Sequence, residues 1–444
     1  MINFKDNSRI VPVCLLTLVL ISFVYSFITG EDSLGGAEND YKLNNIFLLS
    51  FSENFNLAIR SYGISADVIK ISPTNDHLKV TQLAAATYDE VRNLPTFNII
   101  LSQLINLGFK ISHFKYLNLL ILIFIIFYFL KSLKVEYVNL SFNSKILFSS
   151  IIILSPTIRS LINYPYPFLW GICFFIISIY FYLNFKNYEN DKFQNAFYCI
   201  LNLSLASYMT PNFSVFIIIF LSKFFNEYKF SKKFFQICFF SIILSLPALS
   251  FLIWKDFYIF RNEVFELPYS EKFNFSNKII IITSFIFLFF IPYLTEYRFK
   301  KVSLNSIISI RKIYIILFFL LCVFFFNFKV GAGGGIFYQF SNLIFGNNIL
   351  LFLIFIFSLF IFDIYKIYNF ENFLIFITLI LYNLQYTIYY KYFDPLLLFI
   401  FLFIVNIKRN NNFDINILGK KYFIFYVLFL LLNIFKNDLK FLLV

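Results

Sequence analysis

After position 115 the chain is a succession of apolar runs, each closed by a short polar loop. The runs are about 15 to 20 residues long, close to the length a helix needs to cross a bilayer. No soluble core absorbs that many. Charged residues make up 14% of the 444 and hydrophobic ones 60%, with a mean hydropathy of +0.77, whereas ordinary soluble domains carry roughly 25% charged residues. The pattern predicts an all-α, polytopic transmembrane helical bundle. Barrel strands are excluded because the runs are continuously apolar rather than alternating.

Charge orients the bundle. Lys and Arg concentrate in five short loops, Lys131 to Lys145, Lys186 to Lys192, Lys223 to Lys233, Arg298 to Lys312 and Lys408 to Lys421. By the positive-inside rule these face the cytoplasm. The net charge of +13 is read the same way and not as a nucleic-acid surface. Segment 31–94 holds nine acids against five bases and is expected outside. Lys5 and Arg9 precede a long apolar stretch with no A-x-A cleavage site, so residues 10–29 read as an uncleaved first helix.

A consistent threading gives about thirteen helices: 10–29, 116–131, 146–163, 166–184, 193–209, 212–224, 234–254, 278–296, 312–329, 348–366, 372–388, 393–407 and 422–436. The whole chain, 1–444, reads as one membrane domain with a long first extracytoplasmic loop, 30–115. Two pieces of that loop are expected as interfacial helices: 41–60, and 94–109 with Pro95 in its first turn.

Metal and redox chemistry find little footing. The cysteines, Cys14, Cys173, Cys199, Cys238 and Cys322, all lie in apolar runs without a CxxC pair, and His77 and His113 are the only histidines. No cofactor and no metal ligand set is expected. The 69 Phe residues fit an AT-rich coding bias and imply no function. The segment "VGAGGGIFYQF" (330–340) lacks the GK[ST] of a Walker loop and reads as an ordinary connection.

Chemistry is more legible where the first helix ends. "GEDSLGGAENDYKLNN" (30–45) places Glu31, Asp32, Glu38 and Asp40 around a Gly-Gly pair. Read as structure alone, they are solvated loop charges with Asp40 capping a helix that starts at Tyr41. Arginine is scarce, yet Arg159 stands in "SPTIRSLINYPYP", where a guanidinium can bind phosphate bidentately or snorkel to the interface. Tyr164 and Tyr166 beside it fit an aromatic belt. "YYKYFDP" places Lys391, Tyr392 and Asp394 between two apolar helices, as a salt-bridged helix end or as a binding group.

The segments "AENDYKLN" (37–44), "VRNLPTFNIILSQL" (91–104), "LSPTIRSLINYPYPFLWGICFFIISIYFYL" (154–183) and "YYKYFDPLLLF" (389–399) together resemble the GT-C glycosyltransferases. More narrowly, they resemble the bacterial branch of the protein-mannosyltransferase-like superfamily. The chain departs from the family where "HPPL" or "KPPL" reads "NLPT", so Arg92 would have to supply the family's basic residue. The resemblance implies sugar transfer from a polyprenyl-phosphate donor to a glycan, lipid or protein acceptor. It places the chain in a bacterial inner (plasma) membrane, with the active site on the periplasmic or extracellular side.

Inverting transfer needs one base for the acceptor proton and polar or cationic partners for the phosphate. The expected base is Asp40, with Asp32 as the alternative. Arg159, Lys391, Tyr392 and Asp394 are expected at the donor phosphate or sugar, and Glu31, Glu38 and Arg92 are secondary. Lys255, Arg261 and Glu266 of the loop 255–277 are candidates for acceptor contacts. A different class stands as the alternative: an O-antigen-type polysaccharide polymerase or a lipid-linked glycan flippase. A non-enzymatic scaffold is the third reading.

Overall fold

The computed structural model describes residues 7–62, 94–254, 274–294, 310–329, 333–364, 369–383, 387–406 and 414–442. Among them the secondary structure is helical throughout, with no strand. Six helices are long and apolar enough to cross a membrane, or seven if one bent pair is a single span. The chain forms two compact units, residues 1–266 with 426–444, and residues 267–425.

The first unit contains α1 (Asn7–Thr29), α2 (Ala37–Glu53), α3 (Phe55–Ser61), α4 (Thr96–Asn106), α5 (Phe114–Glu136), α6 (Phe142–Leu154) and α7 (Pro156–Asn163). It continues with α8 (Pro167–Asn187), α9 (Lys192–Met209), α10 (Ile217–Tyr228) and α11 (Lys232–Trp254). The polar contacts fix which ends lie together. At one end Glu136 of α5 pairs with Lys186 of α8 at 2.9 Å, and Lys192 of α9 pairs with Glu227 of α10 at 2.6 Å. At the other, Asn118 of α5 donates to the Leu161 carbonyl of α7 and accepts from the Trp170 indole of α8. The lysine-rich loops 131–145, 186–192 and 223–233 therefore share one end of the unit. The acidic turn 30–40 sits with α7 at the opposite end.

Helix α8 is the centre of this unit, with Phe175, Ile176 and Ile179 fully buried. Outward apolar faces remain on α1, α5 and α11, for example Ile28, Ile123 and Phe239. In water such faces would be a liability, whereas bilayer hydrocarbon covers them.

The sequence expectation of one helix over 146–163 is corrected. The chain breaks at Ser155–Pro156, and the two pieces, α6 and α7, are bent by 58°. The residue before a proline is pushed out of the α region, and Ser155 is extended at φ −57°, ψ 119°. Its hydroxyl then accepts from the Ile158 amide and caps the new helix. The expected helix 41–60 is likewise two, α2 and α3, interrupted at the extended Asn54. The expected helix at 212–224 begins as a 3-10 turn, Pro211–Phe216, before α10.

Near the acidic end α4 packs across α2, α5 and α9 through Phe97, Leu101, Leu48, Phe114 and Met209. Burying side chains of this size contributes about 1.5–3 kcal/mol each, so the first part of the long loop is a packed layer. Tyr62 closes it against Phe51, Ala58 and Phe251.

The second unit holds α12 (Phe275–Leu294), α13 (Ile310–Phe324), α14 (Gly335–Phe345), α15 (Ile349–Ile364), α16 (Phe370–Tyr382) and α17 (Leu396–Phe403). It also takes the start of α18 (Ile415–Leu442). Helix α12 is its core. Asn277 of α12 and Asn327, just after α13, exchange bonds of 2.8 and 2.9 Å and clamp the start of α12 to the end of α13. Asn372 and Asn406 make a similar reciprocal pair between the start of α16 and the residues after α17. Gly335 has φ +78°, and a Cβ there would lie 1.9 Å from the Phe285 ring, so only glycine lets α14 approach α12 this closely.

Candidate functional site

Helix α1 ends on Gly30, in the left-handed region at φ +68°. The Glu31 amide reaches back to the Ser26 carbonyl at 3.0 Å, the six-to-one bond of a Schellman cap. That cap turns the chain sharply and brings residues 30–34 onto α7. Tyr164 donates to the Gly30 carbonyl at 2.6 Å and the Asn163 amide to the Glu31 carbonyl at 3.0 Å. Ser160 accepts from the Leu34 amide at 2.9 Å, and Ser33 donates to the Pro156 carbonyl at 3.1 Å.

At the centre of this seam Arg159 is 1% exposed. Its Nη2 donates to Glu31 Oε2 at 2.7 Å and to the Ser22 carbonyl at 3.1 Å, and its Nη1 donates to the Ser22 hydroxyl at 3.3 Å. The guanidinium thus ties together the last turns of α1, the acidic turn and α7. Three buried polar atoms of the knot have no hydrogen-bond partner: Glu31 Oε1, Arg159 Nε and Asn163 Oδ1. The cluster therefore keeps one acceptor on the acid, one donor on the base and one acceptor on the amide.

The other acids hold different posts. Asp32 accepts from the amides of Gly35, Gly36 and Glu38 at 3.0, 2.7 and 3.2 Å. The N-cap position is Gly36, which has no side chain, and Asp32 reaches one first-turn amide, that of Glu38, because Gly35 and Gly36 at φ +73° and +117° curl the chain back over its carboxylate. The helix starts at Ala37, four residues before the expected Tyr41, so Glu38 and Asp40 both lie in its first turn. Negative charge there complements the macrodipole. Glu38 pairs with Lys42 at 2.7 Å in solvent. Asp40 is half-buried.

Tyr164 also meets the Tyr41 ring at a tilt of 58°, with ring centroids 5.9 Å apart. Burial, and then the charges of Glu38 and Asp32, push its hydroxyl above the usual tyrosine range. It stays protonated and keeps donating to Gly30.

The second set of expected residues belongs to the second unit. Lys391 lies 5.2 Å from the Tyr389 ring and 5.4 Å from the Tyr392 ring. Tyr392 is buried, and Asp394 is fully buried. A cleft of about 310 Å³ in the same unit is walled by apolar side chains including Ile286, Phe318, Phe362 and Leu397. Arg92, Lys255, Arg261 and Glu266 lie outside the described residues. Among the described residues no group of three or more His, Cys, Asp or Glu is placed to hold a metal.

Ser22, Asn163 and Ser160 were not singled out from sequence. Their signal is the polar spacing Arg159, Ser160, Asn163 on one side of a short helix beside apolar residues. No family model matches the chain, and comparisons with curated proteins and with solved structures give no significant match.

Proposed function

We propose that this membrane protein is a GT-C-type glycosyltransferase moving a sugar from a polyprenyl-phosphate donor to an acceptor on the extracytoplasmic face. The observation that carries the reading is the acidic turn at the exit of α1, held rigidly on α7 by the Glu31–Arg159 pair at 2.7 Å. It lies at the end of the first unit opposite the lysine-rich loops, the end that the positive-inside rule assigns to the outside.

In this reading Asp40 takes the acceptor hydroxyl proton as the oxygen attacks the anomeric carbon. The bond to the phosphate oxygen breaks, and its electron pair leaves with the lipid phosphate, which needs no proton. Asp32, committed to three backbone amides, supports the helix that carries Asp40. Arg159, enclosed by Glu31 and Ser22, acts as a positioning residue for the turn. The apolar cleft of the second unit offers a surface of the kind a prenyl chain covers. Lys391, Tyr392 and Asp394 are that unit's candidates for the donor's polar head.

The test is release of polyprenyl phosphate from polyprenyl-phosphate hexoses by the purified protein with membrane-extract acceptors. Removing a positioned general base typically lowers a rate about 100- to 10,000-fold, and Asp40→Asn is expected to do so while binding donor normally. Turnover by Asp40→Asn at the wild-type rate defeats this assignment. For the orientation, cysteines replacing Asn39 and Asn190 are expected to react with an impermeant thiol reagent from opposite sides of sealed cells. Labelling of both from one side would overturn it.

A further inference from the structure

Lys278 stands in the first turn of α12, inside the run "NKIIIITSF". It is 2% exposed. A lysine near the end of a membrane helix ordinarily buries its stem and extends its ammonium to water. Here the ammonium itself is buried, and among the described residues Nζ has no hydrogen-bond partner. The Phe275 ring centroid lies 5.9 Å from Nζ, so the side chain folds back toward the start of the helix. At that distance a cation–π contact is at its outer limit and does not replace hydration.

The neighbouring asparagine oxygens are each engaged by other donors, and none accepts from Nζ. Asn274 Oδ1 takes the Ser276 and Asn277 amides, Asn277 Oδ1 takes the Asn327 amide, and Asn327 Oδ1 takes both the Asn274 and Asn277 side chains. The three asparagines form a closed network that holds the helix start rigid and leaves Lys278 out. The positive end of the helix macrodipole adds to the same sign. A cation in this place is repelled by its own helix unless an anion joins it.

The geometry points to a phosphate-binding site at Lys278, at the start of α12. Phosphate is the anion available at this depth, because the end of a spanning helix lies at the level of the lipid headgroups. Its several acceptor oxygens match the three donors of an ammonium. The phosphate comes either from a lipid headgroup or from solution. The inference is independent of whether the first unit transfers sugar.

The test uses the full-length protein purified in a neutral detergent. Apparent affinity is read from the rise in unfolding temperature with ligand concentration. The probes are dioctanoyl phosphatidic acid, inorganic phosphate and, as a tail control, dioctanoylglycerol. Wild-type protein is expected to show saturable stabilisation by the phosphatidate, and Lys278→Met and Lys278→Gln are expected to weaken it about 10- to 100-fold, the loss of one charge-assisted contact. Stabilisation by phosphatidate alone assigns the site to a lipid headgroup. An equal, Lys278-dependent effect of inorganic phosphate assigns it to the free ion. Equal affinity in wild type and both variants, stabilisation by dioctanoylglycerol to the same degree as by phosphatidate, or no saturable effect of either phosphate overturns the site. Should neither variant fold, Lys278→Arg decides: retained binding supports the site, and a tenfold or greater loss overturns it.

Discussion

Among the described residues two basic side chains are buried, one in each unit, and the protein treats them in opposite ways. Arg159 meets Glu31 and Ser22, and its bonds reach across the sequence to fasten a turn to a helix. Lys278 meets no acceptor, although three asparagines lie within one turn of the helix or across the clamp beside it. The first arrangement has its counter-charge within the fold and serves as architecture, although Nε is left over. The second has a local framework but, among the described residues, no counter-charge. Burial alone therefore does not tell a structural cation from a binding one. The inventory of acceptors does.

The sharpest way to break the comparison is to remove the acid from the first pair. Glu31→Met leaves Arg159 buried without its counter-charge, and breaking a buried pair this way costs about 3–5 kcal/mol. Arg159→Met is expected to cost less, because the Glu31 side chain is 21% exposed and its charge can reach water, whereas Arg159 is 1% exposed. Equilibrium unfolding in SDS–detergent mixtures measures both. If Arg159→Met proves the more damaging, Arg159 is not held chiefly by Glu31.

Lys278 predicts the opposite sign. In phosphate-free detergent, Lys278→Met removes a buried donor with no acceptor, a group whose burial costs about 1–3 kcal/mol. The variant is expected to gain stability of that order. Adding the phosphate-bearing ligand would then stabilise wild type past it. A variant less stable than wild type without ligand means that Lys278 already has its partner within the protein, and the contrast with Arg159 disappears.

The two cations also differ in how far the sequence reveals them. Membrane helices were legible because an apolar run of sufficient length has few alternatives. Arg159 was legible as a rare arginine, and Glu31 as one acid of four. Their pairing was not, since they are 128 residues apart and no local period joins them. The break at Ser155–Pro156 was written in the sequence but masked by the apolar run around it. The acid that reaches the first helical turn was misassigned among its neighbours, because which carboxylate does so depends on the left-handed glycines and not on which acid lies nearest the helix start. Lys278 has only a weak signal, one lysine before four isoleucines. Its lack of an acceptor is a property of three dimensions.

Asp32 sharpens the comparison from the backbone side. Its carboxylate has three amide donors, whereas Arg159 keeps Nε unpaired, and the Asp32 contacts are local. Asp32→Ala is expected to cost about 0.5–2 kcal/mol, the range for losing a side chain that accepts a first-turn amide. The damage should fall on α2 and leave the packing of α5 and α8 intact, which amide hydrogen exchange reads directly. Loss of protection in α8 as well would mean that the acidic turn is coupled to the core more tightly than the seam on α7 implies.

The smallest effect is the most direct control on burial. Lys42 and Glu38 approach to 2.7 Å, the same distance as Arg159 and Glu31, but with side chains 66% and 48% exposed. Solvent screens the exposed pair and competes for both partners, and exposed pairs four residues apart on a helix contribute about 0.3–0.5 kcal/mol. Glu38→Gln is therefore expected to change stability by no more than that, and raising the salt concentration should erase the difference. Glu31→Met should keep most of its larger deficit in the same salt. If the two variants respond alike in size and in salt dependence, distance sets the strength of these pairs, and the placing of Arg159 inside the protein has no energetic consequence. If they separate as expected, burial of the charge-paired guanidinium is what makes the Glu31–Arg159 pair able to fix the acidic turn in place.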